Sequence, residues 1–146
     1  MMCFLVKSFS KISLLNYIYS KFFLMIIILK IIIALGLLNV WIVRFDKETP
    51  YRGGGASNMI EEFKNYGLPM TFMYTIGLYK VLLSLFILFS LFFGSKYDQF
   101  VSMGLVFLSF IMVGSIIMHL RVKDPLNKSL PAIGMLVLAV VVLLSF

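Results

Sequence analysis

The residue best placed to do chemistry is Lys80. It interrupts an otherwise apolar run, Pro69–Phe93. If that run is a helix, Lys80 lies ~16 Å from its start at ~1.5 Å per residue, near the middle of an apolar layer ~30 Å thick. Burying a lysine there costs roughly 2.5–3.5 kcal/mol on insertion scales. Such a residue should face the interior and donate to a polar partner or a ligand oxygen, or else be a neutral or hydrogen-bonded structural lysine. Tyr74, Gly77, Tyr79 and Ser84 share its neighbourhood, and the two tyrosines add phenolic donors. Arg52 is a second candidate, because the following Gly53-Gly54-Gly55 can expose backbone N–H groups to a phosphate or carboxylate. The run is not a nucleotide loop, since no Gly-Lys-Ser/Thr follows; read alone, it is a flexible connector. Asn39 is a third polar group, expected to hydrogen-bond between helices.

Other reactive residue types lack companions. Glu61 and Glu62 are adjacent, so on a helix they point roughly 100° apart; capping and solvation account for them better than paired acid–base work. His119 is the single histidine, too few for a metal site or a bis-histidine haem, and is expected to be an interfacial hydrogen-bonding group. Cys3 is the single cysteine, which excludes an intrachain disulfide; it is expected to be inert, with intermolecular pairing or S-acylation as the alternative. The methionines are scattered and read as packing. No catalytic residues and no metal ligands are assigned, and a self-contained enzyme is not expected.

The elements that must position these residues follow from composition. Of the 146 residues, 62% are hydrophobic and 13% charged, against about 25% charged in soluble domains. So much apolar surface cannot hide inside one small core. The chain reads as an all-α, four-transmembrane-helix bundle, with spans at 22–43, 69–93, 100–120 and 130–146. Residues 1–21 form a basic N-terminal arm, with Met25 as an alternative start, and 22–146 form the membrane domain. Trp41 suits the interface. Gly104, Gly114 and Ser115 offer places for close helix approach. Ser129 is the expected cap of the last helix. The net charge of +7 sits in short loops beside apolar runs, so anionic lipid headgroups explain it better than nucleic acid does.

The stretch Arg44–Lys80 organises the rest. Thr49-Pro50 and the glycine run mark turns. Asn58 then begins a short amphipathic interfacial helix over 59–66, between the first two spans. Asn58 and Glu61 have capping-box spacing, Met59, Phe63 and Tyr66 share a face, and Gly67 is a C′ stop. Such a helix lies on the membrane or folds back as a lid.

Tyr51-Arg-Gly-Gly, Asn58-Met, Glu61-Glu-Phe, Tyr66-Gly-Leu-Pro and Met73-Tyr-x-x-Gly-x-x-Lys80, with the closing His119-Leu-Arg-Val-Lys-Asp-Pro-Leu and Ser129-Leu-Pro, resemble the DoxX-like membrane proteins over about residues 25–146. Broader DoxX proteins commonly carry an acidic residue where this chain has Lys80. The resemblance implies a four-helix membrane bundle and an association with quinone-linked redox systems.

Two function classes result. One is a non-catalytic accessory subunit of a membrane redox system, in which Lys80 and Tyr79 hydrogen-bond a quinone oxygen, with Tyr74, Arg52 and Asn39 completing the ligand site. The other is a scaffold that holds partner proteins through Arg44–Tyr66; a small-molecule transporter is a weaker third. The expected partners are the lipid bilayer and a redox protein or a second copy of the chain. The expected location is multi-pass in a bacterial plasma (inner) membrane. Arg44, Lys47, Arg52, Lys64, Arg121, Lys123 and Lys128 flank one face, against Lys7, Lys11, Lys21 and Lys96 on the other, which places the larger loops in the cytoplasm and both termini outside. Lys30 is expected to snorkel toward the amino end of its helix, although its backbone lies at a depth similar to Lys80. No Asp or Glu lies within a span to serve as counter-ion.

Overall fold

A computed structural model describes the backbone of residues 2–146 and the side chains of 15–146 apart from Ser95. The readings that rest on the side chains of Cys3, Lys7 and Lys11 lie outside the described residues. Helix α1 covers Met2–Leu38 and continues through a π-helical turn at Asn39–Val43. Helix α2 is Met59–Asn65, α3 Met70–Phe93, α4 Asp98–Arg121 and α5 Leu126–Leu143. Leu15–Val43, α3, α4 and α5 are long and apolar enough to cross a membrane, and α2 is the short non-spanning helix. The expected all-α, four-span architecture is therefore observed.

The spans form a ring in which α1 packs on α3, α3 on α4, α4 on α5 and α5 on α1. Lipid tails are as apolar as leucine, so packing in a bilayer must come from close contact and hydrogen bonds rather than from the hydrophobic effect. Glycine supplies part of that contact. A Cβ at Gly104 would lie 2.4 Å from Leu83 Cδ1, and one at Gly36 would lie 2.3 Å from Met135 Cε. The Tyr79 hydroxyl donates to the Gly104 carbonyl, tying α3 to α4. Ile33, Ile87, Val101, Leu105, Leu108, Ala139 and Val142 fill the core.

Two local expectations are corrected and a third is refined. Trp41, near the end of its span, is buried: it lies against Gly77, where a Cβ would come within 2.5 Å of its ring. Its position, four residues after Leu37 and seven after Ala34, continues the buried stripe of the helix, and the π-turn that contains it is closed by Arg44 N donating to Asn39 O at 2.9 Å. Helix α5 starts at Leu126, because Pro125, extended at φ −64°, is its cap. Ser129 is thus inside the helix, buried, with its hydroxyl unpartnered among the described residues. Gly114 is not a close-approach site, since a Cβ there would meet open space.

Lys30 and Lys80 do not share a level. In a helix each Cα–Cβ bond tilts toward the N-terminus, and α1 and α3 run antiparallel. Their lysines therefore point to opposite ends of the bundle. Lys30 reaches Asp98, at the α3–α4 connection, with a 2.8 Å ion pair and lies 4.9 Å from the Phe146 ring.

The fold puts the Arg44–Pro69 loop and the α4–α5 turn at one end and the α3–α4 connection at the other. Cysteines placed singly at Glu48 and Lys123, in a chain with Cys3 replaced by Ser, should label from one side of sealed vesicles. Cysteines at Lys96 and Phe146 should label from the opposite side. Labelling of Glu48 and Phe146 from the same side would refute the four-span order.

Candidate functional site

The site is built where the long loop folds back over the bundle. Helix α2 anchors it. Asn58 Oδ1 accepts from Glu61 N at 2.9 Å, as a cap should. The return bond of the box shifts by one residue: the Glu61 carboxylate accepts from Ser57 N at 2.8 Å and Ser57 Oγ at 2.7 Å. Those bonds hold its carboxyl below the ordinary carboxylate range. The helix closes as a Schellman motif, with Gly67 at φ +71°, Gly67 N on Lys64 O and Leu68 N on Phe63 O, both at 3.0 Å. Phe63 and Leu68 pack with Trp41, Met59 and Met73.

Glu62, one position on from the capping glutamate, turns inward. It is buried and pairs with Arg52, Nη1 to Oε2 at 2.8 Å. Arg52 is 5% exposed. Its remaining donors go to the carbonyls of Arg44, Phe45 and Lys47 and to Met59 Sδ. Glu62 Oε1 accepts from Gly53 N at 2.8 Å and from Tyr66 Oη at 3.1 Å. A Cβ at residue 53 would fall 1.8 Å from Tyr66 Oη, so glycine is required there. Gly54, at φ +61°, donates its N–H to both Asp124 oxygens at 3.1 and 3.0 Å. The glycine run thus does expose N–H groups to carboxylates, and the carboxylates are the chain's own.

The network crosses to the α4–α5 turn. Tyr66 Oη lies 3.3 Å from His119 Nδ1, and that nitrogen meets Asp124 Oδ2 at 2.9 Å. Lys128 Nζ pairs with Asp124 Oδ1 at 3.3 Å. Burial and the neighbouring Glu62 push the Tyr66 phenol well above its usual range, so it stays a neutral donor. Burial alone would raise the Asp124 carboxyl, but hydrogen bonds from His119, Gly54 N–H and Lys128 together outweigh it and hold the group below its ordinary 3.8.

Beneath this lid, between the α1–α3 and α4–α5 pairs, is a cavity of about 740 Å³. Its walls are mostly apolar. Ile32, Phe72 and Phe110 border it and are exposed. Lys80, 9% exposed, points into it, with Nζ 5.3 Å from the Trp41 ring centroid. Among the described residues Nζ has no hydrogen-bond or ion-pair partner. Arg52 and Asn39 also line the cavity. The other two residues predicted from sequence do not: Tyr79 is committed to Gly104, and Tyr74 is 60% exposed on the outer surface.

Glu62, Tyr66, Asp124 and Lys128 were not among the predicted site residues, and His119 was expected only as an interfacial group. One signal was present: Glu62 and Tyr66 stand at i, i+4, the spacing that brings side chains together on a helix.

Removing one member of a buried ion pair leaves the other charge uncompensated, at a cost of about 3–5 kcal/mol. Glu62→Gln should therefore lower the melting temperature in detergent, whereas Glu61→Gln should lower it far less. The Asp124 latch should respond to acid. A carboxyl whose folded pKa is depressed stabilises above its unfolded value and loses that contribution as pH falls through the folded one. The loss should appear below pH 3.8, as a fall in melting temperature that is smaller in Asp124→Asn, already weakened at neutral pH.

The profile of the DoxX-like family matches residues 54–142, which run from Gly54 in the glycine turn to Val142 near the end of α5. No curated protein and no solved structure matches the chain. The matched region holds four of the five helices and every side chain of the network except that of Arg52, and on that evidence the chain is a multi-pass integral membrane protein that belongs to the DoxX-like family.

Proposed function

We propose that the chain is a non-catalytic accessory subunit of a membrane redox system that holds a quinone in the cavity beneath the lid. The observation that carries this reading is Lys80. An ammonium buried in the bundle on a spanning helix, with open volume beside it and no protein acceptor among the described residues, is provisioned for a ligand oxygen. The surroundings support it. The cavity's 740 Å³ falls within the roughly 300–1,000 Å³ of small-molecule sites, which are mostly apolar with a few placed polar groups. Lys80 is the donor to a quinone carbonyl, with Arg52 and Asn39 in the same wall; Tyr79 and Tyr74 drop out of the ligand site. An exposed border suits a ligand that arrives through lipid. Scaffolding through Arg44–Tyr66 has less to rest on, because Arg52, Met59, Glu62, Phe63 and Tyr66 are turned inward. The excess of Lys and Arg in the larger loops supports a lid on the cytoplasmic face of a bacterial plasma membrane.

Trp41 is the single tryptophan and lines the cavity, so its fluorescence reports occupancy. A short-chain quinone should quench it saturably in detergent or nanodiscs. Lys80→Met, which keeps length and removes the donor, should weaken binding about ten- to a hundredfold, the loss of one charge-assisted hydrogen bond of ~1.5–3 kcal/mol. Gly114 and Gly134 line the cavity and have open space where a Cβ would go. The double replacement by leucine should fold well, since glycine is the poorer helix former by about 1 kcal/mol, and should abolish quenching. Unsaturable quenching that all three proteins share would refute the reading.

A further inference from the structure

The charges around the cavity are unequal. Arg44, Arg52, Lys80 and Lys128 line it, against the carboxylate of Glu62 alone among its described lining residues. That carboxylate is already committed: Oε2 to Arg52, Oε1 to Gly53 N–H and the Tyr66 hydroxyl. Lys128 is committed to Asp124. Two cations are left without an ion pair among the described residues, Lys80 deep in α3 and Arg44 at the end of the π-turn. Lys80's contact with Trp41 is with a ring face, which offers a cation a weaker attraction than an anion does. A neutral carbonyl would satisfy one donor of Lys80 and leave the charge imbalance as it is. An anionic oxygen would satisfy the same donor and cancel one of the two unpaired charges. In a low-dielectric cavity that difference is large, because an opposite charge within a few ångströms strongly favours the charged form of each partner.

We infer that the occupant carries a negative charge at the end that meets Lys80, so that the cavity selects an anionic amphiphile over its neutral counterpart. The inference rests on the cavity being a ligand site for an oxygen-bearing amphiphile and specifies which protonation and charge state of that ligand is held. A quinone-class molecule meets the requirement as an ionised hydroxyquinone or in an anionic reduced form. The acidic headgroup of a phospholipid offers the same chemistry from a different source. The apolar wall formed by Ile76, Ile111 and Met135 receives the body of the ligand, and the glycines at 114 and 134 leave room beside it.

The test compares two probes of one skeleton. A naphthoquinone with its hydroxyl on the quinone ring is a vinylogous carboxylic acid, ionised at neutral pH, and its methoxy-substituted analogue is neutral. Both are titrated against Trp41 fluorescence with the full chain in phosphatidylcholine nanodiscs. The anionic probe should bind at least about tenfold more tightly, one charge-assisted contact's worth. Lys80→Met should bring the ratio close to one, and Arg44→Gln, at the outer end, should leave most of it. Equal affinity of the two probes for the unmodified protein overturns the inference while leaving the quinone reading intact, and needs no variant to fold. Quenching by neither probe removes the quinone reading instead. Nanodiscs with added phosphatidylglycerol separate the sources: unchanged affinity for the anionic probe supports a quinone-class anion, and competitive loss of affinity assigns the site to the lipid headgroup and overturns the quinone assignment.

Discussion

A guanidinium that leaves water must place nearly all of its donors, and the folding of Arg52 under the lid is the constraint on which the site depends. Its charge meets Glu62 and its remaining donors meet three backbone carbonyls and a thioether. Those carbonyls belong to the chain leaving the π-turn, so one side chain fixes where the loop begins, while Glu62 fixes where α2 lies. Because Glu62 also accepts from Gly53 and Tyr66, the position of α2 determines the position of Tyr66 and, through it, of His119. A network of this kind stabilises only while every member is satisfied. The glycine turn makes that possible, since a side chain at residue 53 would occupy the place of the Tyr66 hydroxyl.

The two ends of the bundle handle charge differently. At the α3–α4 end Lys30 has a carboxylate, Asp98, that is partly in contact with solvent. At the lid end Glu62 and Asp124 are spent on the loop and its cross-link to the α4–α5 turn. Helix direction alone sends the two lysines apart, and this separates a structural cation from one that faces empty volume. Close packing among Ile33, Ile87, Leu105 and Ala139 holds the helices together below, so the lid end need not be filled for the ring to stand.

The spans, α2, its Asn58 cap and its Gly67 stop were legible because each rests on local periodicity or on a single backbone requirement. Lys80 was legible because a charge within an apolar run is conspicuous. The partners of the network were not. Helical phase sets Glu62 beside Met59 and Tyr66, but the cation it meets, Arg52, lies in a segment without period, so nothing local announced the ion pair. Gly54 and Asp124 are 70 residues apart in sequence, and no local pattern links them. Tyr74 and Tyr79 were grouped with Lys80 by sequence proximity, whereas helical phase points them elsewhere. Trp41 was read by its place near the end of a span, which says nothing about the face of the helix it occupies; its spacing from Ala34 and Leu37 marks the buried one.

That turn sets how α1 is indexed to the loop. Asn39–Val43 holds 5 residues in a wider coil, closed by a bond that skips one residue more than an α-helical bond does. One residue corresponds to about 100° of helical phase. The loop beyond it is pinned by Arg52, and the helix before it is pinned by the stripe of Ile33, Ala34 and Leu37 that faces the other spans. Between two fixed ends, loss of a single residue would rotate one against the other and carry either the stripe into lipid or Trp41 away from Lys80. Exchanges of one apolar residue for another leave that phase untouched. Over this short segment the chain is specified in length before it is specified in residue type.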